Sequence, residues 1–343
     1  MDKDLQSIQE VRDLLKQAKA AQKALAAMDQ GQLDRITAAV SRAGAEHARR
    51  LADLAVEETG FGIAEHKEIK NRFAAVTVYE AIKDLKTIGV LAEDKEHKTM
   101  DIGVPVGIVA GLVPSTNPTS TVIYKAMICM KAGNPIIFSP HPNALTCISE
   151  AVKVVARAAE EAGAPKGAVS CITNPTLDAT NALMKHDDTR MILATGGGAM
   201  VKAAYSSGTP AIGVGAGNGP AYIHKTADVA RAVKRILDSK TFDNGTICAS
   251  EQSIIVEKSM EETVTAELKR QGAYLLDDAE HKKLSQFILR PNGTMNPKIV
   301  GKTAQAIADM AGITIPPGTR VLISEQTEVS RQNPYSREKL CPI

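Results

Sequence analysis

The sequence contains no tryptophan, and aromatic residues make up only 3% of its 343 positions. Proteins that bind single-stranded nucleic acid stack the bases on aromatic side chains, so this composition disfavours that class. An excess of one charge is also lacking, because 41 Lys and Arg residues balance 39 Asp and Glu residues to a formal net charge of +2. Without a basic excess, nothing in the charge favours a nucleic-acid partner.

Long apolar runs and a secretory leader are missing as well. Residues 102–113 form one of the longest apolar runs, but Gly and Pro interrupt it, and it falls short of the ~18 residues that a membrane-spanning helix needs. The N-terminus is charged and periodic, unlike a cleavable leader. The five cysteines are odd in number and form no C-x-x-C pair, which indicates neither a disulfide framework nor a zinc site. We expect a cytoplasmic protein with no membrane contact and no bound metal.

The usual dinucleotide fingerprint, with glycines at positions i, i+2 and i+5, is absent too. Gly213 and Gly215 are followed by Asn218, and Gly196 and Gly198 by Val201. The three glycines at residues 196–198 still mark a strand-to-helix junction, where backbone N–H groups attract phosphate. A plain tight turn explains the same three glycines equally well.

What the sequence does contain is a regular alternation of strands and helices. Residues 4–59 have helical periodicity, and from about residue 103 short apolar strands alternate with helices of up to eighteen residues. This alternation predicts a parallel, doubly wound α/β sheet, followed after residue 219 by a second α/β unit. Ligands bind beyond the carboxyl ends of such strands. The candidate ligand loops are therefore residues 114–117, 139–142, 195–198 and 213–219.

The cysteines differ in their surroundings. Cys129 and Cys147 lie in apolar helices and Cys171 in an apolar strand, which is typical of inert core residues. Cys248 instead lies in a polar glycine loop, residues 242–252, where a thiolate would have access to substrate. It is either a catalytic nucleophile or an ordinary loop cysteine.

Asn117 precedes Pro118 at the mouth of a predicted helix, on the ligand side of the sheet. A nucleophile that attacks a carbonyl needs hydrogen-bond donors for the oxyanion, and the Asn117 amide could supply one. The residue could equally be a plain helix N-cap.

Five motifs occur in order along essentially the whole chain: PSTNPTSTVIYKA, IIFSPHP, ILATGGGAMVKAAYSSG, GVGAGNGP and TFDNGTICASEQ. Together they resemble the CoA-acylating branch of the aldehyde dehydrogenase superfamily. They are especially similar to the acetaldehyde dehydrogenase half of bifunctional aldehyde–alcohol dehydrogenases, and to acylating succinate-semialdehyde and sulfoacetaldehyde dehydrogenases. The resemblance implies an NAD-binding domain with N-terminal helices at residues 1–222 and a catalytic cysteine domain at residues 223–343.

The resemblance also implies roles for single residues. Cys248 matches the cysteine that attacks the aldehyde, and Asn117 matches the oxyanion-hole asparagine, which acts together with the backbone N–H of Cys248. The positions that match cofactor-binding residues are Ser139, Pro140, His141, Thr195, Gly196, Gly197, Gly215 and Glu338.

The implied reaction converts an aldehyde, coenzyme A and NAD to acyl-CoA and NADH, with NADP as the open alternative to NAD. Hydrolytic relatives carry a glutamate general base at the place where this sequence has Gly213. Without that base, a thioester on the enzyme survives until a better nucleophile than water arrives. Acetaldehyde, propanal, sulfoacetaldehyde and succinate semialdehyde all remain open as substrates.

One departure from the family concerns length. Members of this family continue well beyond the EKLCP-like segment, whereas this sequence stops at Ile343. We therefore expect a catalytic domain that is incomplete at its C-terminus, and a homo-oligomer if the protein is full length. The alternative is a catalytically impaired homologue that acts as a dinucleotide-binding or oligomer-scaffold protein.

Overall fold

A computed structural model describes residues 2–343, which divide into two compact units. The first unit comprises Met1–Thr59 and Lys67–Gly215, and the second comprises Gly60–His66 and Ala216–Ile343. Residues 60–66 thus join the second unit, although the sequence assigned them to the first domain. Their backbone bonds explain this, because Gly62 N donates to the Gly301 carbonyl at 3.1 Å. The functional division at residues 222 and 223 stays a prediction.

Helices begin the first unit. The second helix, α2 Gln30–Glu46, starts with a capping box, in which the Asp29 side chain accepts from Gln32 N and the Gln32 side chain accepts from Asp29 N. Helix α4 spans Ala64–Arg72. Its first three residues belong to the second unit, and the rest of the helix belongs to the first. The helices before the sheet are α1 Lys3–Ala26, α2 Gln30–Glu46, α3 Ala48–Thr59, α4 Ala64–Arg72 and α5 Val78–Ile82.

A five-stranded sheet forms the centre of the first unit, and all of its strands are parallel. This confirms the doubly wound α/β fold. The strands are β3 Ile108–Val113, β4 Ile136–Pro140, β5 Val169–Cys171, β6 Thr189–Thr195 and β7 Ala211–Val214, in the order β5-β4-β3-β6-β7. The connecting helices are α6 Pro118–Lys131, α7 Leu145–Glu161, α8 Leu177–Lys185 and α9 Gly198–Tyr205.

The central strand β3 is buried on both faces. Val109 and Val113 pack into a core with α2, α6 and α7, whereas Ala110 and Leu112 pack into a second core with α1 and α8. Because successive side chains of a strand point to opposite faces, this alternation places helices on both sides of the sheet. Gly111 has no room for a side chain, since a Cβ there would lie 2.9 Å from the Phe138 ring.

A two-stranded antiparallel hairpin precedes the sheet and was not predicted. Its strands are β1 Gly89–Asp94 and β2 Thr99–Gly103. Most of its side chains are exposed, so no pattern of buried residues marks it in the sequence. The apolar run at residues 104–113, which predicts one or two buried strands, contains the single strand Ile108–Val113, because residues 104–107 link β2 to that strand and Val104 is exposed.

The second unit contains two small parallel sheets, β8 with β9 and β10 with β11. A capping box formed by Asp277 and Glu280 starts helix α12, Asp278–Ile288. Helix α13, Ala304–Ala311, ends at Gly312 in left-handed backbone (φ 65°). The elements are β8 Gly219–Ile223, α10 Val229–Thr241, β9 Glu251–Val256, α11 Glu261–Arg270, β10 Ala273–Leu275, α12 Asp278–Ile288, α13 Ala304–Ala311 and β11 Val321–Ile323.

Candidate active site

The order of the five-stranded sheet creates a switch point between β3 and β6. The chain leaves β3 toward β4 and β5, then returns to the other side of β3 as β6. Ligands of doubly wound sheets bind at such points, beyond the carboxyl ends of the strands. Lys125 ties the two strand ends together, because its buried Nζ donates to the Leu112 carbonyl at 2.8 Å and to the Leu193 carbonyl at 2.7 Å. The loops at residues 114–117 and 195–198 flank this point.

Asn117 occupies the N-cap position of α6, but its side chain does not cap the helix. Its Oδ1 accepts from Lys70 Nζ at 2.8 Å, and its Nδ2 lies 3.3 Å from Thr116 Oγ1. The helix start is stabilised instead by Pro118 at the first helical position. Of the two interpretations left open by the sequence, the plain side-chain cap is therefore not what the structure contains. The Asn117 amide instead contacts Lys70 and Thr116.

The glycine turn between β6 and α9 is open to a ligand. Gly197 and Gly198 are exposed, and a Cβ at either position would have no heavy atom within 4 Å. Gly196 N donates to the Val214 carbonyl, so the turn itself is held in place. Thr195, the last residue of β6, lies with its Oγ1 3.5 Å from the Tyr124 hydroxyl. An exposed backbone turn at a helix N-terminus suits the pyrophosphate of a dinucleotide.

Of the three predicted cofactor residues at the end of β4, Ser139 and Pro140 belong to the strand, and His141 follows it. His141 is exposed, and its Nδ1 accepts from Asn143 N at 3.1 Å. Ser139 and Pro140 are buried. The Ser139 hydroxyl lies 2.8 Å from Thr180 Oγ1, so it is engaged inside the unit.

Gly213 has a packing reason to be glycine. A Cβ at this position would lie 2.6 Å from Val201 Cγ1 and 2.9 Å from the Tyr205 ring, and Gly213 N donates to the Tyr205 hydroxyl at 3.0 Å. Gly215 is less confined, because a Cβ at that position would lie 3.8 Å from Val201 Cγ2. Residues 213–219 contain no carboxylate.

Cys248 differs from the other cysteines in its exposure. All five lie within residues 2–343, and Cys248 is the one that is exposed. Cys129 and Cys147 are buried, as predicted for core residues, whereas Cys171, which was also predicted as a core residue, is half-buried. Cys341 is buried as well. Burial raises the pKa of Cys129 to about 12 and that of Cys341 to about 11. A thiol must ionise to act as a nucleophile, so these buried cysteines are poorly suited to the role.

A strained turn lies five residues before Cys248. Asp243 and Asn244 both adopt left-handed backbone, with φ of 52° and 50°, and Gly245 follows at 76°. Asp and Asn tolerate this region better than other residues with a side chain. The fully buried Asp243 carboxylate accepts from Ile63 N at 2.7 Å and from the Thr246 hydroxyl. These bonds connect the turn to Ile63, which lies outside the loop, and to Thr246, which lies within it.

His66 holds the same turn by a second route. Its Nδ1 accepts from Asp243 N at 2.7 Å, and its ring stacks on Phe242 with the ring centroids 4.7 Å apart. Gly62 lets the carboxylate approach, since a Cβ there would lie 2.0 Å from Asp243 Oδ1. The segment at residues 60–66 therefore supports the loop that carries Cys248.

Glu338 contacts the backbone of Gly217, which runs beside the backbone of Cys248. Its Oε1 accepts from Gly217 N at 2.6 Å, and burial raises the pKa of its carboxyl. Gly217 in turn passes so near Cys248 that a Cβ would lie 1.9 Å from the Cys248 carbonyl oxygen. Only glycine fits this approach without a backbone shift.

Two buried lysines hold the segment that carries Glu338. Lys240 Nζ donates to Gln252 Oε1 at 3.0 Å and to the Lys339 carbonyl at 2.9 Å. Lys339 Nζ donates to the carbonyls of Tyr335 and Arg337, each at 2.7 Å. Burial lowers the pKa of Lys240 to about 8 and that of Lys339 to about 7.

Sequence reasoning missed the side chains that support the candidate residues. Nothing in the composition or spacing distinguishes Lys70, Lys240 or Lys339 from surface lysines. A signal did exist for Asp243, because the run Asp243-Asn244-Gly245 is typical of left-handed turns. Among residues 2–343, no cluster of three or more His, Cys, Asp or Glu side chains could hold a metal ion.

Together, the doubly wound sheet with an open glycine turn and the single exposed thiol on a glycine loop define a class: α/β proteins that combine a dinucleotide-type sheet with a reactive cysteine. The model of the aldehyde dehydrogenase family matches residues 4–326. The chain belongs to that family. None of the helices in residues 2–343 has the length and apolar character to cross a membrane.

Several relatives are highly similar. The bifunctional aldehyde-alcohol dehydrogenase of Escherichia coli is 49% identical over 336 residues, which are 98% of this chain and 38% of that protein. The chain thus spans well under half the length of this curated relative. A solved structure of a probable aldehyde dehydrogenase from Listeria monocytogenes is 63% identical with a TM-score of 0.98, and the match covers 100% of this chain and 76% of that one.

Two further solved structures are informative. An acetylating aldehyde dehydrogenase from Geobacillus thermoglucosidasius is 58% identical with a TM-score of 0.97, over 99% of this chain and 75% of that one. A propionaldehyde dehydrogenase from Rhodopseudomonas palustris, solved with bound CoA and an acylated cysteine, is 30% identical with a TM-score of 0.83, over 97% and 75% of the two chains.

Proposed function

We propose that this chain carries out CoA-acylating aldehyde oxidation, in which an aldehyde, NAD and coenzyme A yield acyl-CoA and NADH reversibly. The observation that carries the proposal is the exposed Cys248 thiol on a loop stabilised from both sides, in a chain of the aldehyde dehydrogenase family. The similarity to an acetylating enzyme at 58% identity supports the acylating branch.

In the proposed reaction, the Cys248 thiolate attacks the aldehyde carbonyl carbon and forms a thiohemiacetal. The Asn117 amide donates a hydrogen bond from Nδ2 to the oxygen that becomes negative. Bound NAD would supply the hydride acceptor, so that loss of a hydride from the thiohemiacetal carbon would leave an acyl thioester on Cys248. The thiolate of coenzyme A then attacks that thioester, and Cys248 departs as a thiolate.

The residues present fit such a cofactor. Gly196 and Gly197 offer an open backbone turn to a pyrophosphate, with Thr195 at the end of the preceding strand. Glu338 offers a carboxylate to a ribose, and its other oxygen is tied to Gly217 N. We assign His141 to the adenosine side of the cofactor because it is exposed, whereas Ser139 and Pro140 are buried.

We infer the nature of the product from the lack of a carboxylate in residues 213–219. Residues 213–219 carry no carboxylate that could activate water. The thioester on Cys248 therefore persists until a thiolate attacks it, which favours acyl-CoA over a free acid. The CoA and the acylated cysteine in the related propionaldehyde dehydrogenase support this order of events.

The alternative, an impaired homologue acting as a scaffold, is less favoured. Cys248, Asn117 and Glu338 are all present, and each is held by hydrogen bonds of its loop or side chain that a decayed site has no need to keep. The cytoplasmic location and the homo-oligomer stay predictions.

The test is Cys248→Ala in the full-length protein, measured by NADH formation from a short-chain aldehyde with CoA. We expect loss of activity, and loss of the acyl adduct seen by intact mass after incubation with acyl-CoA. Cys171→Ala is the matched control, because Cys171 is half-buried and lies in strand β5. Full CoA-dependent activity in Cys248→Ala would rule out the proposal, and undiminished turnover without CoA would replace acylation by hydrolysis.

A further inference from the structure

Three buried polar side chains of α4 bind the loop at residues 114–117, the first turn of α6 and the start of α3. Lys67 is 2% exposed, Lys70 9% and Asn71 1%. Long polar side chains rarely leave water without fixed partners, because burial of an unsatisfied polar group is costly. Each of these three therefore has a place in the hydrogen bonding of the first unit.

Asn71 links α4 to the neighbouring helices α3 and α6. Its Nδ2 donates to the Ala48 carbonyl at the start of α3 at 2.9 Å, and its Oδ1 accepts from the Thr119 hydroxyl in α6 at 2.8 Å. Lys67 Nζ donates to the Thr116 carbonyl at 3.0 Å. The position of α4 relative to the first turn of α6 is thus set by side chains on both sides of Lys70.

Lys70 determines which way the Asn117 amide faces. A lysine ammonium group has three donors and no acceptor, so the amide atom 2.8 Å from Lys70 Nζ must be the oxygen, Oδ1. The amide nitrogen then faces away from Lys70. Its contact with Thr116 Oγ1 is long, at 3.3 Å, which leaves the N–H₂ group able to donate elsewhere.

We propose that Lys70 is a positioning residue for the reaction, which holds the Asn117 amide so that Nδ2, and not Oδ1, meets the developing oxyanion. The proposal rests on the function proposed above for Asn117. With the amide reversed, an oxygen would face an oxyanion and repel it. The ammonium also polarises the amide, which makes its N–H groups better donors.

The principal test compares Lys70→Met and Lys70→Gln with the wild type. Met keeps the length of the side chain and removes the donors, whereas Gln offers either an oxygen or a nitrogen and no longer selects one amide orientation. We expect kcat to fall about tenfold to a hundredfold with KM for the aldehyde little changed, because loss of an oxyanion donor costs about 10²–10³-fold in kcat. Lys70→Arg, which keeps the charge and the donors, should recover part of the loss.

A double-mutant cycle with Asn117→Ala separates positioning from general damage. In the Asn117→Ala background, Lys70→Met should change kcat by less than about twofold, because its target is gone. An equal fall in both backgrounds would overturn the inference, as would wild-type kcat in Lys70→Met. If Asn117→Ala itself has wild-type kcat, the proposed function of Asn117 fails, which is a separate outcome.

A second readout needs no dinucleotide. Attack of the Cys248 thiolate on acetyl-CoA transfers the acetyl group to the enzyme and releases CoA thiolate, and its oxyanion needs the same donor. The rate, measured by intact mass, should fall in Lys70→Met as kcat does. Lys131→Met is the control, since Lys131 is also buried but lies at the far end of α6, bound to Asp34 and the Lys83 carbonyl. A fall of equal size in Lys131→Met would show a general effect of losing a buried lysine and overturn the inference.

Discussion

The two loops that carry Asn117 and Cys248 are supported in opposite ways. The Asn117 loop has no residue in left-handed backbone, and it is held by donors, the ammonium groups of Lys67 and Lys70. The Cys248 loop contains three consecutive left-handed residues and is held by an acceptor, the buried Asp243 carboxylate.

This difference follows from what each loop has to present. An amide that donates from its nitrogen needs a donor behind its oxygen, and lysine supplies one without ambiguity. The Cys248 loop needs a bent backbone before the cysteine, and the Asp243 carboxylate holds that bend by accepting from Ile63 N outside the loop and from the Thr246 hydroxyl within it. The support in the first loop therefore sets a side-chain orientation, whereas the support in the second sets a backbone conformation.

The largest stability effect should come from Asp243→Ala. It leaves the half-buried Ile63 N without its acceptor and puts alanine in left-handed backbone, which together cost about 2–4 kcal/mol. Urea unfolding would measure this loss. In protein that is still folded, the alkylation rate of Cys248 by iodoacetamide should also change.

Asp243→Asn is the matched variant, because it keeps an oxygen for Ile63 N and tolerates the same backbone. It should lose about 1 kcal/mol. The contrast between the loops would break down if Lys70→Met altered Cys248 alkylation as much as Asp243→Ala does, or if Asp243→Ala left both stability and alkylation unchanged.

An intermediate effect should separate two glycines of the first unit. Gly213→Ala forces a Cβ to within 2.6 Å of Val201, and such overpacking costs about 1–3 kcal/mol. Gly197→Ala meets nothing within 4 Å and should cost at most about 1 kcal/mol as a change of N-cap. Its effect should instead be a raised KM for NAD. If Gly213→Ala proved as stable as the wild type, packing would not explain that glycine.

The smallest effect concerns Glu58, which supports the helix that follows the His141 loop. Its carboxylate accepts from Thr146 N and Cys147 N, each at 2.8 Å, at the start of α7. Burial acts to raise the pKa of Glu58, but the N–H groups of Cys147 and Thr146 outweigh it and hold the pKa below the ordinary value of 4.5. Its contribution to stability is therefore present above pH 4.5 and is lost as the pH falls through the lowered pKa.

Glu58→Gln should lower the free energy of unfolding by about 1 kcal/mol at neutral pH. The difference from the wild type should shrink as the pH falls below 4.5, the ordinary pKa of the carboxyl. Urea unfolding at several pH values would measure it. A difference that stayed constant over this range would show that the charge of Glu58 is not what stabilises α7.

Much of the first unit could be predicted from the sequence. Strand β7 has the predicted bounds, residues 211–214. Helices α6 and α7 begin and end within two residues of the predicted ranges 120–132 and 145–162, because Pro118, Gly133 and Gly163 mark helix ends. The β1–β2 hairpin was missed, since its exposed strands bury no side chains in a period-two pattern.

The candidate site could be predicted only in part. Cys248 and Asn117 stand in recognisable local contexts, a glycine loop and a helix mouth. Lys70 and Asp243 do not reveal their partners, because Lys70 acts on a residue 47 positions away and Asp243 on one 180 positions away. Ser139 matched a cofactor position by motif, yet its hydroxyl bonds to Thr180.

The sequence by itself determined the parallel α/β architecture and the family, and it predicted the residues proposed to carry the chemistry, because periodicity, helix ends and ordered motifs are local properties of the chain. Tertiary structure decided which cysteine is exposed, which atom of the Asn117 amide is turned outward, and why residues 60–66 belong with the Cys248 loop. Those features depend on burial and on hydrogen bonds between residues distant in sequence, and only folding brings such residues together.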